Sequence, residues 1–555
     1  MTRTRTRTIL TLTLVVLLAN PLLAAPAAAQ SLSLGGSSGP LSPAAADAVD
    51  WFGYLPHEDA VRYGDGGDKV GVFVETGSAE DLESLQNWAN GTPATVLETD
   101  GGRNTALLAV QPKQIKYSLT EPEKLPMWGD SGQPLAALNY VERVDLELEV
   151  SNVEPVRNLE SADSVDVEPP GATAATVFND GTFGEGMAYD GDSPETFIRD
   201  VRPYVGADAV GQNGSGVNVA VIDSGVNIGD GRVFGNGSIG SEVRVGDGYD
   251  FVEDEPITAA NGYENVSDPN GHGSWVGSAA VGVDGMAPGA TLMPYRALDS
   301  EGSGSTSDIV RSVRRADRQG ADILVMSLGS PVWNDQLATE LEHALSEEGN
   351  VTAAFVAAGN SYQTGVARWT ASPSDIPEVI GVQSTDAAPP ANATKSYYGN
   401  VGPDTGGDLS TGESRGVTPD TAAPGQNLTA PTFTDSGTYR NTTLSGTSMA
   451  APVAGGVGAL ALEANPALEG DAETFHDRVI ESGAATPNLG TTESEGGMID
   501  ADRLVAGNTT EPAPERDLNA AASGRDTANN ALSAQPGFLK ASSRFFGDAA
   551  EAVGV

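Results

Sequence analysis

The run Val217-Asn218-Val219-Ala220-Val221-Ile222, closed by Asp223-Ser224-Gly225, decides the fold. It is almost continuously apolar, without the alternation of a strand that shows one side to water. A strand of this kind is covered on both faces. Further strands of the same character are predicted downstream at 292–297, 321–326, 351–357 and 378–382. Between them lie helical patterns. Residues 306–319 carry Ile309, Val313 and Ala316 on one face, and 335–348 carry Leu337, Leu341 and Leu345. A small-residue helix at 448–463 and another at 474–481 follow. Apolar strands separated by helices predict an α/β domain over 209–507, its parallel β-sheet flanked by helices on both faces.

Upstream the pattern changes. Arg3, Arg5 and Arg7 precede a mostly apolar stretch at 9–25 that is broken by Asn20-Pro21 and followed by Ala27-Ala28-Ala29. That order is expected of an export signal over 1–29 with a small-residue cleavage site, in preference to a membrane anchor. Residues 30–68, rich at their start in Ser, Gly, Pro and Ala, read as a linker. Residues 69–150 predict a small α+β domain. It has strands at 69–74, 104–110 and 140–150, and a helix at 79–90 with Leu82, Leu85 and Trp88 on one side. Residues 151–208 are acidic and rich in Gly and Pro and read as a connector. Beyond 508 the chain turns polar. This tail over 508–555 ends in a stretch, 539–553, that reads either as a short docking helix or as a frayed end.

Composition narrows the partners. The 555 residues carry 30 Lys and Arg against 76 Asp and Glu, a net charge of −46. Lys69, Lys113, Lys116, Lys124, Lys395 and Lys540 are the only lysines. Such a surface repels nucleic acid and anionic membranes. The acids are spread along the whole chain and not gathered in a tail. This favours adaptation to high salt, where screening weakens the mutual repulsion. There are no cysteines, which rules out disulfides, a thiolate nucleophile and Cys-bound metal.

Three segments carry chemistry. Asp223 directly follows the first buried strand, where ligand sites of parallel sheets gather. On its own, an Asp at a strand end is more often a helix cap. His272 sits in Asn270-Gly271-His272-Gly273-Ser274, and among the four histidines it alone is flanked by glycines. The glycines are expected to bend the backbone and leave the ring accessible, although a solvated loop histidine reads the same way. Ser448 lies in Ser445-Gly446-Thr447-Ser448-Met449-Ala450-Ala451-Pro452, at the start of a helix whose first N–H groups can face an anion. A plain N-cap is the other reading of that serine. The nucleophile elbow Gly-x-Ser-x-Gly is absent. The order Asp, His, Ser matches the subtilisin arrangement among the known triads.

With Ala357-Ala358-Gly359-Asn360 added, residues 217–507 resemble the subtilisin-like serine peptidases, and the charge balance resembles the halophilic, halolysin-like members. The resemblance implies a catalytic triad of Asp223, His272 and Ser448, with Ser448 as nucleophile, His272 as base and then acid, and Asp223 orienting the ring. It implies that the Asn360 amide serves the oxyanion hole. It implies that Ser327, Leu328 and Gly329 pair with the substrate backbone, and that with Ala357, Ala358 and Gly359 they wall a pocket open to large apolar side chains. Trp275 departs from the family's usual histidine and is expected to change packing beside the site. Residues 69–150 resemble the family's propeptide, a folding template and inhibitor whose tail can block the cleft.

The expectation is therefore a secreted, salt-adapted serine endopeptidase made as a zymogen. It would act on proteins or peptides as a monomer, with its own propeptide as partner, without nucleic acid and without stable membrane insertion once the signal is removed. No organic cofactor is required. Structural calcium is left open and no metal ligand is assigned. The rival from another class is a catalytically silent secreted binding protein on a peptidase scaffold. A dedicated processing enzyme that cuts few sites is a second rival.

Overall fold

The computed structural model describes residues 61–63, 69–111, 114–115, 135, 138–152, 195–228, 233–234, 242–243, 248–256, 268–330, 334–362, 370–402, 418–433 and 439–507. The expected export signal, nearly all of the linker, most of the connector, and the polar tail, including the stretch read as a docking helix or a frayed end, lie outside these residues.

The first folded layer is antiparallel. It comprises β1 (Arg62–Tyr63), β2 (Lys69–Thr76), α1 (Ala79–Asn90), β3 (Thr95–Asp100), β4 (Thr105–Val110) and β5 (Val141–Leu146). The strand order is β1-β2-β4-β3, and β5 also pairs with β2. α1 starts where the Ser78 side chain accepts the Asp81 N–H, an N-cap, and its Leu82, Leu85 and Trp88 are buried against Val70, Val72 and Val74. The opposite face of this sheet is also apolar. Phe73 and Leu107 pack with Ile309 and Val313 of the larger layer. A last strand, β6 (Glu149–Asn152), leaves the small sheet altogether.

The larger layer follows with β7 (Thr196–Phe197), α2 (Ile198–Val201), β8 (Asn218–Asp223), β9 (Glu242–Val243), β10 (Tyr249–Asp250), β11 (Glu255–Pro256), α3 (His272–Val281) and β12 (Thr291–Arg296). Then come β13 (Ser303–Ser305), α4 (Thr306–Arg318), β14 (Ile323–Met326), β15 (Leu328–Gly329), α5 (Asp335–Ala344), β16 (Ala353–Ala357), β17 (Ile380–Thr385) and β18 (Thr421–Pro424). The chain closes with β19 (Leu428–Phe433), β20 (Tyr439–Leu444), α6 (Thr447–Ala464), α7 (Ala472–Ser482) and α8 (Ala501–Ala506).

Its sheet runs β11-β10-β12-β8-β14-β16-β17-β18, with β9 also on β12, and every pairing is parallel except β10 with β11. Val219 pairs with Leu292 on one side and Ile323 on the other. Alternate residues of β8 feed two cores. Val219 and Val221 face the core containing α3 and α6, while Ala220 and Ile222 face the one containing α4 and α5. This is the doubly covered parallel sheet expected from the apolar runs. Helix α6 crosses one face so closely that a Cβ on Gly455 would stand 2.6 Å from Val325, and one on Gly458 2.7 Å from Phe355. Small residues are therefore required there by packing.

The connector expected over 151–208 needs correcting at both ends. Ser151 and Asn152 belong to β6. Residues 195–208 belong to the large layer, where Ile198, Val201, Val205 and Ala207 are buried in its core. A four-residue helix in a Gly- and acid-rich background offers too few apolar positions to show a period. Among the described residues no helix is long and apolar enough to cross a membrane.

Candidate active site

The site forms at the carboxyl ends of the central strands. Asp223 is the last residue of β8 and is fully buried. Its carboxylate meets His272 Nδ1 at 2.8 and 3.0 Å and accepts the Ser224 N–H at 2.7 Å. His272 opens α3, held by a close approach of two turns. A Cβ on Gly273 would fall 2.0 Å from the Gly225 carbonyl oxygen, and Gly271 sits at φ 90°, a region glycine favours. The ring is only 3% exposed, so the expectation of an accessible imidazole is corrected. The glycines serve to bring His272 down onto Asp223 and not to open it to water. Burial pushes the His272 pKa down, but the charge and hydrogen bond of Asp223, with Asp268 behind them, outweigh it, and the net shift is upward. Nε2 is buried and has no hydrogen-bond partner among the described residues.

Asp268 was not recognised in the sequence. It is buried and gathers the His272 loop, accepting from Asn270 N, Gly271 N, Ser274 N and Ser224 Oγ at 2.7–3.1 Å. Ser224 Oγ in turn accepts the Gly273 N–H. Burial pushes the Asp268 carboxyl up to about 6, against the lowering effect of those donors. The available signal was an Asp placed two residues before Asn270-Gly271-His272, the spacing of a side chain that closes a turn onto N–H groups. Trp275 lies three residues after His272 on α3. It is fully buried, and its Nε1 donates to the Thr442 carbonyl at 2.9 Å.

Ser448 is the second residue of α6 and is buried. Its hydroxyl donates to the Ser327 carbonyl at 3.3 Å and not to His272 Nε2. Ser327 Oγ returns a bond to the Ser448 carbonyl at 2.8 Å. Asn360 stands next to the same helix start. Its Oδ1 accepts Thr447 N at 2.9 Å and Thr447 Oγ1 at 3.0 Å, which turns its NH2 away from Thr447. The Gly359 N–H donates to Thr447 Oγ1 at 3.0 Å. Ala357 ends β16, while Ala358 donates to the Val382 carbonyl and accepts from Ala371 N, so this wall is tied into the sheet.

Leu328 and Gly329 are paired with another segment of the chain. β6 runs antiparallel between β15 and β13, with Asn152 opposite Leu328, Ser151 opposite Gly329 and again opposite Ser303, and Val150 opposite Gly304. Val150 is buried among Leu298, Ile309 and Leu328. Just before it, Asp145 Oδ2 accepts the Gln336 N–H at the start of α5, and Glu147 accepts the Ser307 hydroxyl at the start of α4. Two carboxylates of the small layer thus face the positive ends of two helices of the large one. An ionic cluster adds to the contact. Buried Glu340 is shared by Arg103 of the small layer and Arg314 of the large one, and Arg314 also reaches Asp100 at 2.9 Å.

Among the described residues no group of three or more His, Asp or Glu side chains is arranged to hold a metal ion, so no calcium site is assigned.

Residues 214–498 match the family model described as the subtilase family. The minor extracellular protease Vpr of Bacillus subtilis (strain 168) is 36% identical over 214 residues, covering 36% of this chain and 24% of that one. The halolysin-like extracellular serine protease Nep of Natrialba magadii is 32% identical, covering 48% of this chain and 43% of its own length. The chain thus spans under half the length of both relatives. Subtilisin DY of Bacillus licheniformis is 30% identical, with 48% of this chain and 85% of the relative covered. The solved structure of fervidolysin from Fervidobacterium pennivorans, a keratinolytic enzyme related to subtilisin, shares the fold at a TM-score of 0.54 and 17% identity, over 81% of this chain and 63% of that one.

Proposed function

The chain belongs to the subtilase family, and from that premise we propose that it is a serine endopeptidase, made as a precursor for export, that cuts peptide bonds through an acyl-enzyme on Ser448. The observation that carries the proposal is the 2.8 Å bond that His272 Nδ1 makes to the buried Asp223 carboxylate, with Nε2, the other ring nitrogen, without a hydrogen-bond partner among the described residues. The chemistry needs one rearrangement: the Ser448 hydroxyl turns from the Ser327 carbonyl to Nε2. His272 then takes the hydroxyl proton as Oγ attacks the substrate carbonyl carbon, and Asp223 stabilises the imidazolium. The tetrahedral oxyanion is met by the Asn360 amide and the Ser448 N–H, a first-turn helix donor. One such donor is typically worth about 3–4 kcal/mol of barrier. His272 returns the proton to the departing amine, and a water repeats the sequence to free the acid.

Substrate would enter as an added strand between β13 and β15, where β6 lies, and small residues around Ala357–Gly359 favour a large apolar side chain before the cut bond. This supports reading 69–150, with the two residues that complete β6, as a propeptide that inhibits the enzyme by lying in its cleft. A parallel sheet with non-local pairings forms slowly, so a folding template is physically reasonable. Residues 1–29 would direct export, and relatives are named extracellular. The net charge of −46 supports activity in concentrated salt, and one relative is named halolysin-like. The silent-scaffold alternative is disfavoured because Asp223, His272, Asn360 and Ser448 are all retained. The test is casein hydrolysis in concentrated salt, blocked by a serine-directed fluorophosphonate and abolished by Ser448→Ala. Full activity in that variant would remove the mechanism.

A further inference from the structure

Lysine is scarce in this chain, yet Lys395 is completely buried. Its ammonium donates to the carbonyls of Ser396 at 2.9 Å and Gly399 at 2.8 Å and lies 4.0 Å from the centre of the Tyr362 ring. The nearby carboxylate acting on it is Glu493, which is 1% exposed. Two carbonyls, an aromatic face and a carboxylate are the surroundings of a bound monovalent cation, except that this cation is covalently attached. Burying an ammonium is strongly unfavourable until its partners compensate. An aliphatic residue would fill the same space without that cost, so the charge calls for an explanation.

The turn that the ammonium gathers is the one that holds Asn360. Tyr362 N donates to the Tyr398 carbonyl at 3.0 Å, Asn400 N to the Gly359 carbonyl at 2.9 Å, and Ser361 N to Asn400 Oδ1 at 2.7 Å. Residues on both sides of Asn360 are thus tied to 398–400. Lys395 fixes that turn from below through the carbonyls of residues 396 and 399, and it touches Tyr362 directly.

We propose that Lys395 is a positioning residue, a tethered cation that holds the 396–400 turn and through it the Asn360 amide. This rests on the reading of Asn360 as an oxyanion donor. Asn360 would touch the reacting oxygen, whereas Lys395 acts only through the backbone between them.

The experiment is a double-mutant cycle in the mature enzyme. Lys395→Met, Asn360→Ala and the double variant are compared on a neutral peptide anilide, with active sites counted by fluorophosphonate titration. Lys395→Met alone is expected to lower kcat per titrated site tenfold or more with KM within twofold, and to add nothing in the Asn360→Ala background. Wild-type kcat per site in Lys395→Met overturns the proposal, as does a loss that multiplies fully with that of Asn360→Ala. In Lys395→Ala, propylammonium chloride is expected to restore kcat where equal potassium chloride does not. A folded Lys395→Ala enzyme that propylammonium fails to rescue also overturns it. If the unaltered enzyme takes up no fluorophosphonate at Ser448, the reading of the site fails instead.

Discussion

Ser327 and Ser448 hold each other by two hydrogen bonds, Ser327 Oγ to the Ser448 carbonyl at 2.8 Å and Ser448 Oγ to the Ser327 carbonyl at 3.3 Å. The reason lies four residues along α6. Pro452 has no N–H to offer the Ser448 carbonyl, so the helix leaves that oxygen for a side chain. The short link between β14 and β15 is thereby tied to the residue expected to attack. Ser327→Ala removes the hydroxyl's hydrogen bond to the buried Ser448 carbonyl, at a cost of about 0.5–1.5 kcal/mol. A lower midpoint of thermal unfolding and a reduced kcat are expected. An unchanged midpoint would show that the Ser327 hydroxyl is dispensable.

Asp223 fixes the ring tautomer. Asp223→Asn is expected to reduce kcat by about 10⁴-fold while the fold survives, as the imidazole is then held in the wrong protonation pattern. Circular dichroism with active-site titration separates this from unfolding. Retention of a tenth of the activity or more would contradict the role.

The pH dependence has a definite sign. His272 must be neutral to accept a proton, and its pKa lies above the ordinary 6.5 because Asp223 and Asp268 overcome the effect of burial. Activity should therefore rise with pH through a midpoint above 6.5. Asp268→Asn removes one of the two raising charges, so the midpoint of kcat/KM should move to lower pH. A midpoint below 6.5 in the unaltered enzyme, or an upward move in the variant, would contradict the electrostatics.

Asp223, His272 and Ser448 were singled out because each stands in a short, recognisable run: an apolar strand end, a glycine-bracketed turn and a small-residue helix start. Each run alone was ambiguous, and the roles came from the resemblance. The structure joins Asp223 to His272 at 2.8 Å. Helix α1 was legible to the residue, since Ser78 caps it and Gly91 ends it. Asp268 was not, because its work is done by hydrogen bonds to a loop and leaves no period. β3 was missed because it pairs on one side only, with β4, and combines exposed Thr95 and Leu97 with Glu98 and Asp100, so it lacks the apolar run of a central strand. The hairpin of β19 and β20 was hidden by its threonines and Pro431.

If the small layer inhibits the large one, as proposed, their interface predicts how that inhibition can be weakened. Arg103→Ala removes one of the two guanidinium partners of buried Glu340. Removing a partner from a buried pair is strongly destabilising when none remains. Because Arg314 remains, the loss should be smaller, about a tenfold rise in the inhibition constant of the small domain. An unchanged constant would exclude the cluster from docking.

The strand register predicts the maturation point. Asn152 opposes Leu328, and Ser448 Oγ donates to the carbonyl of Ser327, the residue just before β15. Val153 follows Asn152 in the sequence; on the proposal that residues 69–152 are an inhibitor lying in the cleft, cleavage is expected between Val153 and Glu154. N-terminal sequencing of the first processed product checks this. A start within the small domain, before Val141, would contradict the register.

Labelling by a fluorophosphonate bears most directly on whether Asp223, His272 and Ser448 act as one unit. With the proposed inhibitory domain removed, the wild-type chain should take up one equivalent, located on Ser448 by mass spectrometry, and His272→Ala should take up almost none. Equal labelling of wild type and His272→Ala, or a label on any other residue while casein is still hydrolysed, would contradict it.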